Sequence, residues 1–233
     1  MRGWFCARCV TLLIYMTFHR HILPNGLRLV VVPMRESETV TVMTLVEAGS
    51  KYETKELNGL SHFLEHMCFK GTTDRRTALH ISRELDAIGA QYNAFTSQEF
   101  TGYFAKAAKA HFSKILSVVS DLYVNPTFPE TEIEKEKGVI IEEIHMYRDL
   151  PQKHVQDVFL ELVYGDQPAG WNIAGTPERV HAMTRADFIS YRKRHYVSVA
   201  TTVVVAGAVS EGEAEWSVAR AFADMCAGAK HPK

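Results

Sequence analysis

Two histidines four positions apart, His62 and His66, with Glu65 between them, restrict this chain more than any other stretch of it. On an α-helix, residues i and i+4 stand one above the other, so both imidazoles reach the same point in space. That point suits Zn²⁺, which takes imidazole nitrogen at about 2.0–2.1 Å. Glu65 follows His62 by three residues and lies near the same face. It is placed to take a proton from a water beside the ion without being a ligand. Two histidines alone hold a catalytic zinc poorly, because a working site uses three protein ligands and keeps one position open. The fold must therefore bring a carboxylate from another element.

Residues 130–148 read as a helix that offers one. With Ile133 at zero and about 100° per residue, Ile140, Ile144 and Tyr147 fall within about 40° of it and define an apolar stripe. Glu136 falls near −60° and Glu143 near −80°, both on one shoulder of the stripe, while Glu142 points about 180° away. A carboxylate at the edge of a buried stripe faces a buried cation, and one on the opposite side faces water. Geometry alone prefers Glu143 or Glu136 over Glu142.

The rest of the chain mixes strand and helix text. Residues 18–32 carry Asn25-Gly26 between two apolar runs, a hairpin signal. Residues 39–46 and 200–209 are dense in β-branched residues and read as buried strands. Residues 92–105 read as strand text around a short turn. Helical text covers residues 58–70, with Asn58 as N-cap and Gly71 just past the end. It recurs at 77–88, 109–123, 152–163, 185–196 and 213–226. Strands and helices without strict alternation give an α+β fold, a mostly antiparallel sheet covered by helices. Residues 18–233 are expected to form one domain and residues 1–17 an N-terminal extension.

The net charge is −1 with acids and bases interspersed, which gives no field for nucleic acid or an anionic membrane. The apolar run near the N-terminus is far short of the roughly 20 residues a membrane span needs and makes a poor signal peptide, so the expected location is cytoplasmic. Four cysteines are too few and too scattered for a disulfide framework. Cys6 and Cys9 form a C-x-x-C, but no second pair completes a structural zinc site. Cys68 reads as a small buried apolar residue, and His19, His21, His111 and His195 as surface or packing residues.

His62 to His66 has the form of an inverted zincin motif. The run from Gly59 to Thr72 that contains it resembles the signature of the pitrilysin/insulinase family of zinc peptidases, most of all its mitochondrial-processing-peptidase branch. Residues 23–27 and 171–177 also look like family text, and the likeness runs from about residue 18 to 209. In that family the third ligand is a glutamate about 75 to 77 residues beyond the second histidine, which falls on Glu143. A second glutamate, matching Glu136, would support the site from behind. The segment Asn93, Ala94, Phe95, Thr96 resembles the family's substrate-binding edge strand, to which an extended peptide pairs through its backbone.

The resemblance implies one Zn²⁺ on His62, His66 and Glu143, with Glu65 as general base in hydrolysis of a peptide or unfolded polypeptide. Family members repeat this α+β unit. A second domain or subunit is therefore expected as partner, in a homo- or hetero-oligomer if it is a separate chain. The alternative expectation is a non-catalytic zinc-binding half that serves as an assembly subunit.

Overall fold

The structure, a computed structural model, describes residues 17–231. Cys6, Cys9 and the rest of the expected extension before Thr17 lie outside the described residues. The core is a six-stranded sheet: β1 (His19–Ile22), β2 (Arg28–Pro33), β3 (Thr39–Val46), β4 (Gln91–Thr96), β5 (Thr101–Ala108) and β6 (Thr201–Gly207). Their order across the sheet is β1-β2-β6-β3-β5-β4. All neighbours are antiparallel except β2 and β6, which run parallel. Residues 174 positions apart in the sequence pair there, because each strand offers an alternating apolar row to the same layer of helices.

That alternation sets which side is covered. Leu29 and Val31, Val40 and Val42, Tyr103 and Ala105, and Val203 and Val205 are all buried on one face. Against that face pack α3 (Phe112–Val124) and α8 (Glu211–Ala221). Beside β4 lies α1 (Leu60–Cys68), which also meets α4 (Glu130–Arg148). The remaining helices are α2 (Ala78–Asp86), α5 (Pro151–Tyr164), α6 (Pro177–Ala182) and α7 (Arg185–His195). The Asn25-Gly26 signal does make the β1–β2 turn. Gly26 takes φ +87°, and the Asn25 amide donates to the Phe222 carbonyl at 2.9 Å.

Sequence and structure differ at several helix ends. The first helix begins at Leu60, not Asn58, and its N-cap position is Gly59 at φ +102°. Asn58 is buried and gives its amide to Glu53 and to the Asn172 carbonyl. The capping work falls to Glu53, whose carboxylate accepts the backbone N–H of Gly59 at 2.9 Å and of Ser61 at 2.6 Å. A cap supplied from six to eight residues upstream leaves no local signature, so propensity assigned it to the nearest asparagine. The last helix stops at Ala221 rather than running to residue 226, and α6 has no counterpart in the sequence reading. Six residues are too few for an apolar period to show.

Candidate metal centre

The candidate metal centre is built on α1, and its surroundings explain why that helix sits where it does. Leu60, Phe63, Leu64 and Met67 are fully buried, which fixes the rotation of the helix and turns His62, Glu65 and His66 towards α4 and β4. The N-terminal end is fixed by a backbone crossing. A Cβ on Gly175 would stand 2.3 Å from the Asn58 carbonyl oxygen, and one on Gly59 would stand 2.6 Å from that of Ala174. Only glycine allows the two chains to approach so closely.

The structure brings three of the sequence candidates to one point. His62 Nε2 and His66 Nε2 lie 3.7 and 3.5 Å from the same oxygen of Glu143, Oε2. One donor atom from each of the three residues lies within 4.8 Å of the others, and no other such group occurs among the described residues. Glu142, by contrast, is exposed and reaches only His145.

The surroundings set the protonation of each group differently. Burial, aided by the neighbouring His66, pushes the His62 imidazole down to about 3, so it is neutral with a free lone pair. His62 Nδ1 is buried without a hydrogen-bond partner. For His66, burial works against the charged form, but the hydrogen bond with Glu136 and the nearby Glu65 and Glu143 raise its pKa. Its Nδ1 donates to Glu136 Oε1 at 2.9 Å, which leaves Nε2 directed at Glu143. Glu136 is buried, which opposes its charge, yet His66 and Lys70, the latter at 2.6 Å, hold its carboxyl below the usual range. A divalent cation fits this donor set: two imidazole nitrogens and a carboxylate converge, and an outer carboxylate fixes one ring.

Glu65 stands beside these atoms but outside the donor group. Burial raises its carboxyl, and Thr96 Oγ1 donates to its Oε2 at 2.6 Å. Thr96 thus has a role the sequence did not suggest, since its hydroxyl is engaged with Glu65. The strand that carries it, β4, is an edge of the sheet. Ser97 N–H donates to the Phe100 carbonyl, and Thr96 pairs with Thr101. Counting back along the alternating ladder, Ala94 and Thr96 direct their backbone N–H and C=O away from β5, towards the open side. In the free protein the Asn93 side chain accepts the Ala94 N–H at 2.9 Å.

His62, Glu65, His66, Glu143 and residues 93–96 together line a cleft of about 520 Å³. Sequence reasoning missed the rest of its wall. Tyr147, assigned to the buried stripe of α4, is half-exposed in the cleft, and burial and a hydrogen bond to Glu143 raise its phenol. Lys153, Gln156 and Asp157 come from α5, and Asn172 to Ala174 from the loop that crosses Asn58. The loop falls within residues 171–177, which the family likeness had marked; nothing local marked the α5 residues.

Residues 29–177 match the family model described as insulinase, peptidase family M16. The chain belongs to the insulinase family of peptidases. Among its relatives, a protein of Bacillus subtilis named as an uncharacterised zinc protease is 38% identical over 192 residues, 82% of this chain and 47% of that protein. The probable mitochondrial-processing peptidase subunit beta of Arabidopsis thaliana is 36% identical over 203 residues, 87% of this chain and 38% of that one. A solved structure of a Pseudomonas fluorescens protein, described as an inactive domain of peptidase M16, superposes with a TM-score of 0.86 at 16% identity. It covers 94% of this chain and 53% of that one. The α+β architecture is therefore that of insulinase-family domains. The chain spans about half the length of the bacterial relatives it matches. No helix among the described residues is long and apolar enough to cross a membrane.

Proposed function

We propose that this chain is the zinc-bearing half of a metalloendopeptidase. His62, His66 and Glu143 would hold one Zn²⁺, with Glu136 supporting His66 from behind. The observation that carries the reading is the convergence of His62 Nε2 and His66 Nε2 on one Glu143 oxygen, with the Glu65 carboxyl held beside it by Thr96. When bound, zinc supplies Lewis-acid chemistry, polarising a carbonyl and acidifying a water. The protein's own residues do the rest. Glu65 accepts a proton from the attacking water and returns it to the leaving amine, and Thr96 keeps the carboxyl aimed. The open edge of β4 at Ala94 and Thr96 pairs with an extended stretch of peptide or unfolded polypeptide. Asn93 and Phe95 flank it, so the backbone supplies affinity with little sequence demand.

Relatives of about twice this length favour a second α+β unit or subunit as partner for turnover. The inactive Pseudomonas domain of the same fold gives weight to a second reading, in which this unit binds zinc and assembles but does not cleave. A fluorogenic-peptide assay with and without chelator, run beside size-exclusion chromatography, separates the two. Chelator-sensitive cleavage supports the peptidase. Zinc uptake without turnover, alone and in complex with a second unit, supports the assembly module. Failure to take up zinc ends both.

A further inference from the structure

The loop between α3 and α4 carries a backbone outlier. Phe128 takes φ +49°, and among the described residues every other positive φ belongs to a glycine. A bulky residue in that region is strained, and such strain persists only where the surroundings hold it, as they do at ligand clamps. Here the ring is buried against Phe188, and the carbonyl accepts from Arg185 Nε at 2.9 Å. The same loop walls a cavity of about 540 Å³ that is closed by α7 and by residues 224–226. Its floor is apolar, with Phe128, Tyr196 and Met225 buried. Its rim is basic: Arg185, Arg192 and Lys193 stand against one carboxylate, Asp224. None of the three cations makes an ion pair among the described residues. Arg192 Nη2 donates to the carbonyls of Tyr123, at 3.1 Å, and Val124. The carbonyl end of α3 offsets a fraction of the charge and holds that guanidinium in place. Its Nε stays buried with no acceptor, and Lys193 has no hydrogen bond among the described residues. In a chain of net charge −1, this is a concentrated positive field over an apolar floor.

We infer that this cavity binds a small organic anion, a carboxylate or phosphate head on an apolar body. The two guanidinium groups and Lys193 meet the head, and the orphaned Arg192 Nε–H gains an acceptor. The body lies on Phe128, Tyr196 and Met225. A volume of about 540 Å³ falls within the range of small-molecule pockets. Bracing of the loop does not account for the arrangement. The carbonyl contacts of Arg185 and Arg192 would fix it without a third cation and without a cavity. The inference is independent of the zinc reading, because no residue of this cavity lines the metal cleft.

Calorimetric titration of the full chain with octanoate and with octyl phosphate tests this, in chelator so that no head group coordinates a metal. Octanol, acetate and inorganic phosphate serve as partial probes. At least one amphiphilic anion should bind tenfold or more tightly than every partial probe, and less tightly as salt rises. The tighter of the two identifies the head group. Binding should shift the methyl resonances of Ile189 and Met225. Lys193→Glu, at an exposed position, should weaken binding at least tenfold with the urea midpoint unchanged. Ile189→Ser, also exposed, should weaken it by removing apolar contact. Octanol binding as tightly as the anions would reduce the cavity to an apolar cleft and overturn the inference. Acetate or inorganic phosphate binding as tightly would leave an adventitious ion only. Absence of binding, affinity unchanged in Lys193→Glu, or resonance shifts confined to the metal cleft would each overturn it as well.

Discussion

The proposed function gives single side chains of the candidate metal centre separable tasks, which substitution should resolve. Glu65→Gln keeps the shape of the cleft but removes the proposed proton acceptor. Hydrolysis should fall by about 10²–10⁴-fold, with zinc content by elemental analysis unchanged. Surviving activity would remove Glu65 from the role of base. His62→Ala, His66→Ala and Glu143→Ala should each lower zinc content outright. Glu136→Gln should act one step back: it weakens the hydrogen bond that fixes His66, and zinc affinity in a competition titration should drop by about 10–100-fold. An unchanged affinity would make Glu136 only a partner of Lys70. Thr96→Val tests the finding that sequence reasoning lacked. Loss of the 2.6 Å bond should lower kcat with little change in zinc affinity.

Helix α1 is anchored at its N-terminal end, and that anchorage is exposed to substitution. Gly175 stands at φ +76°, and a Cβ there meets the Asn58 carbonyl at 2.3 Å. Gly175→Ala should therefore force apart residues 58–59 and 174–175, lowering the urea midpoint by the equivalent of about 1–3 kcal/mol. Zinc affinity should fall with it, because the same crossing positions His62. A midpoint equal to that of the natural chain would show that the loop relaxes without moving the helix. The carboxylate of Glu53 belongs to the same anchorage. It is fully buried, which raises its pKa against the donors of Ser61, Gly59 and Asn58. Helix α5 lacks any such anchorage to the core; its inward face is polar and its apolar side is turned out.

Taken together, the chain should lose stability in mild acid through His195. Burial, then the nearby His231 and Arg194, depress its imidazole to about 4, against about 6.5 for an unfolded histidine. Between those values the unfolded chain binds a proton that the folded chain refuses. Stability is thus full above pH 6.5 and declines as pH falls towards 4. Denaturant unfolding in chelator at pH 7 and pH 5 should show a smaller loss for His195→Gln than for the natural chain. Equal losses would place the acid sensitivity elsewhere; His62, also depressed, contributes to both chains alike. What residue order alone determined was whatever has a local cause. The alternating rows of β3 and β6, the nineteen residues of α4 and the helical stacking of His62 on His66 were all legible, because period and spacing act within a few residues. The α4 wheel also narrowed the carboxylate to Glu136 or Glu143, though likeness to the family was needed to choose between them. Other features required the folded chain. The Glu53 cap, the hold of Thr96 on Glu65, the turn of Tyr147 into the cleft and the parallel seam of β2 with β6 join residues far apart along the chain or on separate elements. No local period encodes such contacts, since they exist only once burial of one apolar layer has fixed where each element lies.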